Sequence, residues 1–227
     1  MLQLPLEICL DDSARLDNYF IEGNKQLFAK LQSLKLSKQD FIYIWGNKDS
    51  GKSHLAQAIC HDFAANELVA VYLPLDNPQL QPLILEGLEY ADLVCLDSLE
   101  AIAGNSLWEN AIFNLFNVLK ANEKQLLVFS RLSCNQLVIE LADLKSRFSS
   151  METYKLNELN DEQRISYIKD IGKTRGLDIS IDVSKFLLSR TVRETSNLNS
   201  IIKLLDKESL IQKRKITIPF IKQVLKL

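Results

Sequence analysis

The chain has 227 residues, of which 47% are hydrophobic and 25% are charged, and its formal net charge is −2. This composition is typical of a folded protein with a buried core and excludes disordered and collagen-like chains. The nearly balanced charge gives no general reason to expect a nucleic-acid or membrane partner. We expect one α/β domain of about 150 residues and a smaller second part.

No segment of the sequence predicts insertion into a membrane. The N-terminus lacks a basic start followed by a long apolar stretch, and apolar runs such as residues 68–75 are far shorter than the roughly 20 residues that span a bilayer. We therefore expect a cytoplasmic protein.

The cysteines predict reduced thiols rather than disulfides or a metal site. Their spacing is not paired, and two of them lie in apolar runs that predict burial. The sequence also has only two histidines, so no Cys/His cluster has the spacing of a structural zinc site. These residues are Cys9, Cys60, Cys95, Cys134, His54 and His61.

Four short apolar runs predict buried β-strands. They are residues 41–45, 68–73, 93–96 and 126–129. Near-continuous hydrophobicity is typical of strands that are covered on both faces, as in parallel sheets. Helical patterns lie between the runs, and the clearest begins at Trp108. We expect an α/β fold with five parallel strands and flanking helices.

The pattern becomes wholly helical after Leu156, which predicts a boundary between residues 13–157 and a small all-α part at residues 158–227. Asn160 and Gln163 have the spacing of a capping box. Helices are expected over residues 161–175, 182–190 and 197–213, with a last helix starting near Pro219.

The strongest motif is a complete G-x-x-x-x-G-K-[ST] loop between the first strand and a helix. Its glycines allow backbone N–H groups to surround phosphates, its lysine gives a positive charge and its serine a ligand for Mg²⁺. We expect ADP or ATP with Mg²⁺ here, and the alternative is a chance glycine turn. The expected binding residues are Gly46, Asn47, Lys48, Asp49, Ser50, Gly51, Lys52, Ser53 and His54.

Asp97 ends an apolar strand, where P-loop proteins place the carboxylate that holds Mg²⁺ through water. The alternative is an aspartate that caps the next loop. Many ATPases have a second acid directly afterwards, but Ser98 stands there, which predicts weak intrinsic hydrolysis. Glu100 could compensate, or it could be a first-turn helix acid.

The chain resembles the DnaA/Hda branch of AAA+ ATPases over nearly its full length. The resemblance rests on four segments: GKSHL at residues 51–55, LVCLDSLEAIAG at 93–104, LWENAIFNLFN at 107–117 and KITIPFIKQVLKL at 215–227. It implies a P-loop AAA+ domain followed by a helical lid domain.

The resemblance also assigns roles to two arginines and leaves that of a third open. It makes Arg147 the arginine finger, offered in trans to the nucleotide of a neighbouring subunit, although from the residues alone Arg147 would be an ordinary surface arginine. It makes Arg193 the lid arginine that reaches the phosphates, the alternative being a helix-end arginine. Related proteins often have an acidic residue where Arg131 stands, so γ-phosphate sensing there is left open.

The N-terminal tail, residues 1–12, contains QLPLEI at residues 3–8, which resembles the short motif by which bacterial proteins bind the sliding clamp of DNA polymerase. The expected anchors are Gln3, Leu4, Leu6 and Ile8. An extended tail can place such side chains in a preformed pocket. The alternative is a tail with chance apolar residues.

The resemblance implies a negative regulator of DNA replication initiation. Its expected partners are DnaA, whose ATP hydrolysis it would stimulate to give inactive ADP-DnaA, and the clamp; a homodimer stays open. The chain stops at residue 227 without the helix-turn-helix domain of DnaA-like initiators, and we expect no direct DNA binding. The alternatives are a DNA-acting initiator or helicase loader and a stand-alone ATPase.

Overall fold

The structure is a computed structural model that describes residues 10, 11, 14–16, 23–37, 39–191 and 195–226, without the side chains of residues 195 and 196. These residues form two compact units. One comprises residues 1–48 and 52–157 of the chain, and the other comprises residues 158–227 together with 49–51. Each unit is described separately.

The first unit is built on a parallel five-stranded sheet, as predicted, with the strand order β2-β3-β4-β1-β5. The strands are β1 Phe41–Trp45, β2 Ala70–Pro74, β3 Leu93–Asp97, β4 Gln125–Ser130 and β5 Glu152–Lys155. The four predicted apolar runs correspond to β1 to β4. The last strand has the polar sequence ETYK and lies at the sheet edge beside β1, which is why no apolar run marked it.

Two apolar layers cover the two faces of the sheet. The helices of this unit are α1 Lys25–Ser33, α2 Lys52–Ala64, α3 Ser106–Ala121 and α4 Ala142–Ser149. Alternate residues of each strand point to opposite faces. Thus Val94 and Leu96 pack in the layer with α3 and α4, whereas Leu93 and Cys95 pack in the layer with α1 and α2. Covering on both faces accounts for the near-continuous hydrophobicity of β3 and β4.

The α3 helix has a polar cap at its N-terminus and an apolar stripe along one side. The Asn105 side chain accepts hydrogen bonds from the backbone N–H groups of Leu107 and Trp108, which satisfies helix donors that lack partners in the first turn. The helix then buries Ile112 and Phe116 against the sheet. The predicted stripe from Trp108 is therefore confirmed, with the helix starting two residues earlier.

The second unit contains the helices α5 Asp161–Thr174, α6 Ile181–Arg190, α7 Thr195–Gln212 and α8 Ile218–Leu225. The predicted capping box is present, because Asn160 and Gln163 each accept a hydrogen bond from the other's backbone N–H group. Gly172 lies against the next segment so closely that a Cβ atom there would meet the Ile179 side chain at 2.8 Å. Among the described residues, no helix has the length and apolar character needed to cross a membrane.

Candidate nucleotide site

The predicted phosphate loop connects the end of β1 to the start of α2. The Gly46 N–H donates to the Ser130 carbonyl at 3.1 Å, so the loop begins against the end of β4. Asp49 and Gly51 have φ angles of 62° and 93°. The left-handed region favours glycine and tolerates aspartate. These two residues turn the chain from the strand into the first turn of α2, which begins at Lys52.

Lys52 lies buried inside this loop. Its Nζ donates hydrogen bonds to the Gly46 carbonyl at 2.8 Å and to the Asn47 carbonyl at 2.7 Å. These contacts offset the unfavourable burial of an ammonium group. The positive charge therefore already lies where phosphate oxygens are bound in P-loop proteins.

The fold brings Ser53 and Asp97 together. Asp97 ends β3 and is 2% exposed. Burial raises the pKa of the Asp97 carboxyl group, and hydrogen bonds from the Ser53 and Tyr72 hydroxyls and the Ser98 N–H oppose that rise. The Ser98 N–H lies 2.9 Å from Oδ1 of Asp97. A hydroxyl next to a carboxylate is an oxygen donor set that suits Mg²⁺, so the residues fit the predicted metal.

Tyr72 is a site residue that the sequence did not reveal. It lies on β2, opposite Cys95 in the register with β3, and its hydroxyl donates to Oδ2 of Asp97 at 2.8 Å. Burial raises the pKa of Tyr72, and the neighbouring Gln57 and Ser53 side chains oppose that rise. The only signal in the sequence was a phenol within an aliphatic run. Tyr72 therefore completes a polar cluster around Asp97.

Glu100 is held at the end of β4. Its Oε2 accepts hydrogen bonds from the Ser130 hydroxyl and the Arg131 N–H, both at 3.0 Å, and its Oε1 lies 3.1 Å from Nε of Arg131. Ser98 adopts a left-handed φ of 59°, and Glu100 then falls in the first turn of the 3₁₀ helix Leu99–Ala101. Glu100 is thus a first-turn acid that pairs with Arg131.

Arg147 lies in the last turn of α4, half-buried against α3. Its guanidinium carbon is 5.7 Å from the centroid of the Phe116 ring. This is the distance of a cation–π contact, which orients the guanidinium group without neutralising its charge. Arg147 therefore has a defined position in the unpartnered chain.

The other residues predicted for the sites lie as follows. Lys48 and Ser50 lie in the loop, and His54 lies in the first turn of α2. The described cysteines, Cys60, Cys95 and Cys134, are free thiols. Gln3, Leu4, Leu6, Ile8 and Arg193 lie outside the described residues. Within the described part of the chain, no cluster of His, Cys, Asp or Glu could hold a metal ion by itself.

Comparison with known proteins identifies the family. The sequence model of the Hda lid domain matches residues 161–225. An uncharacterized protein of Haemophilus influenzae is 42% identical over 228 residues, which cover 99% of both chains. The chain is an Hda-like homologue of DnaA. The Hda lid match falls on the four helices of the second unit.

Solved structures show the same AAA+ fold for this Hda-like chain. A DNA replication initiation factor is 26% identical with a TM-score of 0.72, over 90% of this chain and 68% of that one. DnaA of Aquifex aeolicus bound to AMPPCP is 24% identical, has a TM-score of 0.74 and is matched over 90% and 70% of the two chains. The RuvB branch migration motor of Thermotoga maritima has a TM-score of 0.69 at 16% identity, over 94% and 71%. Family and fold together support nucleotide binding and a DnaA-related role in DNA replication.

Proposed function

We propose that this chain is a nucleotide-bound adaptor that docks on the DNA polymerase sliding clamp and stimulates ATP hydrolysis by DnaA. DnaA is thereby converted to its inactive ADP form, and repeated initiation is prevented. The chain is then a negative regulator whose chemistry takes place on its partner.

Nucleotide binding follows from the arrangement of Lys52, Ser53 and Asp97. Lys52 would contact the outer phosphates, and Ser53 with Asp97 would hold Mg²⁺, directly and through water respectively. The metal, when bound, neutralises charge on the phosphates. ADP and ATP both satisfy this set of contacts, and bound nucleotide would stabilise the loop.

Weak intrinsic hydrolysis follows from the carboxylates near the site. A general base must reach the proton of the attacking water. Ser98 replaces the acid that commonly follows the strand aspartate, and both oxygens of Glu100 are already bound at the end of β4. The chain is therefore arranged to retain a nucleotide rather than to turn it over.

Arg147 is the group that would act on DnaA. A guanidinium group is permanently charged and presents a planar set of donors, so it can stabilise the charge that develops on a transferring phosphoryl group. The contact with Phe116 holds the Arg147 guanidinium group in place at the end of α4 in the chain without a partner. Supplied in trans, it would complete the nucleotide site of DnaA.

The N-terminal residues would provide the contact with the clamp. Gln3 would place an amide, and Leu4, Leu6 and Ile8 apolar side chains, in a clamp pocket. Short docking motifs of this kind bind with modest affinity, which suits a reversible partner. DnaA and the clamp are thus the two proposed partners.

The observation that carries the proposal is the match to the Hda lid domain in a chain that keeps Lys52 and Asp97 but has Ser98 after the aspartate. The test is single-turnover decay of ATP preloaded on DnaA, with clamp-bound DNA and this protein. Arg147→Ala should lose the stimulation, which for arginine fingers is on the order of 10³ to 10⁵ in rate. Lysine at this position should not restore it, because it lacks the planar fork.

A matched control is Arg190→Ala, which removes an arginine from the last turn of α6. It should stimulate like the parent protein. Full stimulation by Arg147→Ala would refute the mechanism, provided that the variant still binds nucleotide and clamp.

The likeness to a DNA replication initiation factor favours one alternative, a DNA-acting initiator or helicase loader with its own ATPase cycle. That function requires DNA affinity that falls steeply with salt. Binding of labelled single-stranded DNA over a range of salt concentrations separates the two functions. Substantial hydrolysis without any partner would instead support a stand-alone ATPase.

A further inference from the structure

Glu109 is an acidic residue with no exposed surface. It lies in the first turn of α3, within the apolar stripe of that helix. A buried carboxylate is unfavourable unless hydrogen bonds replace those it makes with water. Backbone N–H groups outside α3 donate the hydrogen bonds that replace those from water at the Glu109 carboxylate.

Those hydrogen bonds join two segments that are distant in the sequence. The Gly104 N–H donates to Oε1 of Glu109 at 2.8 Å, and the Leu141 N–H donates to Oε2 at 2.8 Å. The Glu140 N–H is shared between both oxygens at 3.2 and 3.0 Å. Glu109 therefore binds the loop after β3 and the start of α4 at once.

The start of α4 has no side-chain cap of its own. Leu141 precedes the first helical residue and makes no capping hydrogen bond through its side chain. The first backbone N–H groups of a helix lack partners within the helix, and negative charge at this end is favourable. Glu109 supplies both the acceptors and the charge from a neighbouring helix.

The other end of α4 also rests on α3. Phe116 follows Glu109 by seven residues, a spacing that returns to the same side of a helix. Its ring lies under Arg147, in the last turn of α4. Leu144 and Phe148, both fully buried, fix the rotation of the short helix between these contacts.

We infer that Glu109 is the positioning residue of Arg147. It fixes the beginning of α4 relative to α3, so that Arg147 at the end of α4 keeps its place over Phe116. Both oxygens of Glu109 are bound to backbone N–H groups, so Glu109 acts through α4. The consequence for DnaA rests on the proposed function, whereas the positioning of Arg147 does not.

The first test is made on the chain alone, with Glu109→Gln. The amide keeps the shape of the side chain but has one acceptor oxygen in place of two, so it cannot accept hydrogen bonds from the N–H groups of both Gly104 and Leu141. Hydrogen exchange at one of these two amides should accelerate by about tenfold, the effect expected for one lost hydrogen bond. The NMR signal of the Arg147 Nε–H group should move to its position in Phe116→Leu, where the ring current is absent.

Leu119→Ala is the stability control, because it removes buried apolar volume from α3 at a distance from Glu109. It should lower the melting temperature while leaving the two amides and the Arg147 signal unchanged. If Glu109→Gln does not fold, Phe116→Leu tests the other α3 contact and should free the Arg147 side chain in the same way. Unchanged amide exchange and an unchanged Arg147 signal in Glu109→Gln would overturn the inference.

The second test measures stimulation of DnaA by Glu109→Gln at saturating concentration. Misplacement of a catalytic group by about 1 Å costs roughly 100-fold in rate, so we expect a 10- to 100-fold loss with the half-saturating concentration unchanged. Arg147→Ala is measured in parallel. Full stimulation by Arg147→Ala would refute the proposed function, and the NMR result would then decide whether Glu109 positions Arg147. If only Glu109→Gln stimulates fully, the positioning of Arg147 by Glu109 does not contribute to activity.

Discussion

The Tyr72 hydroxyl donates a 2.8 Å hydrogen bond to the Asp97 carboxylate, across two neighbouring parallel strands. The Ser53 hydroxyl, at the start of α2, and the Ser98 N–H also lower the pKa of this carboxyl group against the effect of burial. A buried acid is thus surrounded by donors from three elements. The protonation state of Asp97 therefore affects both the stability of the nucleotide-free protein and the binding of Mg²⁺.

Asp97→Asn should make the nucleotide-free protein more stable at neutral pH and weaken Mg²⁺-nucleotide binding. Burial raises the pKa of Asp97 above its ordinary 3.8, so the folded chain binds this proton more tightly than the unfolded chain. The resulting stability is fully present below the unfolded pKa and is lost as pH rises through the folded pKa. Asparagine carries no charge, so the variant does not lose this stability as pH rises. The Tyr72 hydroxyl can rotate to accept a hydrogen bond from the asparagine amide.

The measurement is thermal unfolding of the nucleotide-free protein at pH 7 and near pH 3. The variant should have a higher melting temperature than the parent at pH 7 and a much smaller gain near pH 3. Tyr72→Phe is the contrasting variant. It leaves Asp97 with one donor fewer and should lose about 1–2 kcal/mol at pH 7. A melting temperature of Asp97→Asn below that of the parent at pH 7 would contradict the argument.

Lys52→Ala should weaken nucleotide binding severely, because the phosphates lose the main side-chain charge within the loop. A hydrogen bond to a charged group contributes about 1.5–3 kcal/mol, so the expected loss in affinity is about 10- to 100-fold. Titration calorimetry with ADP and ATP measures it. Lys120→Ala, which removes the same charge from an exposed position on α3, should bind like the parent. Equal affinity of Lys52→Ala and the parent would disprove the loop assignment.

Arg131→Ala should raise the slow intrinsic hydrolysis of ATP. The substitution frees Oε1 of Glu100, which then becomes available to a water molecule, while Ser130 keeps Oε2. A partly effective general base gives an increase of about tenfold, below the usual 10²- to 10⁴-fold. Stability should hardly change, since the Arg131 side chain is half exposed.

The control for this increase is Glu100→Gln in the Arg131→Ala background. Hydrolysis should return to the parent rate, because an amide does not accept the proton. Single-turnover decay of bound ATP, without any partner, is the measurement. An increase that survives Glu100→Gln would exclude Glu100 as its source.

Replacement of both Gln3 and Leu6 by alanine should abolish clamp binding and leave thermal stability nearly unchanged. A terminal segment contributes little to the core, so the two effects separate. Co-elution with the clamp in size-exclusion chromatography measures the first effect, and thermal unfolding the second. Asp12→Ala, just beyond the motif, should still co-elute. Retention of the double variant on the clamp would place the docking element elsewhere in the chain.

The parts of the fold that depend on local sequence could be predicted from it. The strand, loop and helix around Lys52 follow from a contiguous motif, and Asp97 follows from the end of an apolar run. The capping box at Asn160 is likewise a short-range pattern. In each case the residues that determine the structure are neighbours in the chain.

The contacts that the sequence did not reveal join distant segments. Tyr72 reaches Asp97 only because β2 and β3 are neighbours in the sheet. Glu109 looks like an interruption of an apolar stripe until α4 is placed beside α3. The pairing of Glu100 with Arg131 similarly depends on where β3 and β4 end. Such contacts are properties of the topology rather than of any short pattern.

The polar edge strand β5 also affects how the chain behaves among its own copies. An uncovered strand edge offers backbone groups that can pair with another chain and start aggregation. Charged side chains oppose this, and Lys30 bridges Asp40 at 2.7 Å and Glu152 at 3.1 Å beside this edge. Lys155, at the end of the strand, lies over the Trp45 ring. The charges that concealed β5 in the sequence therefore discourage the sheet from growing beyond its fifth strand.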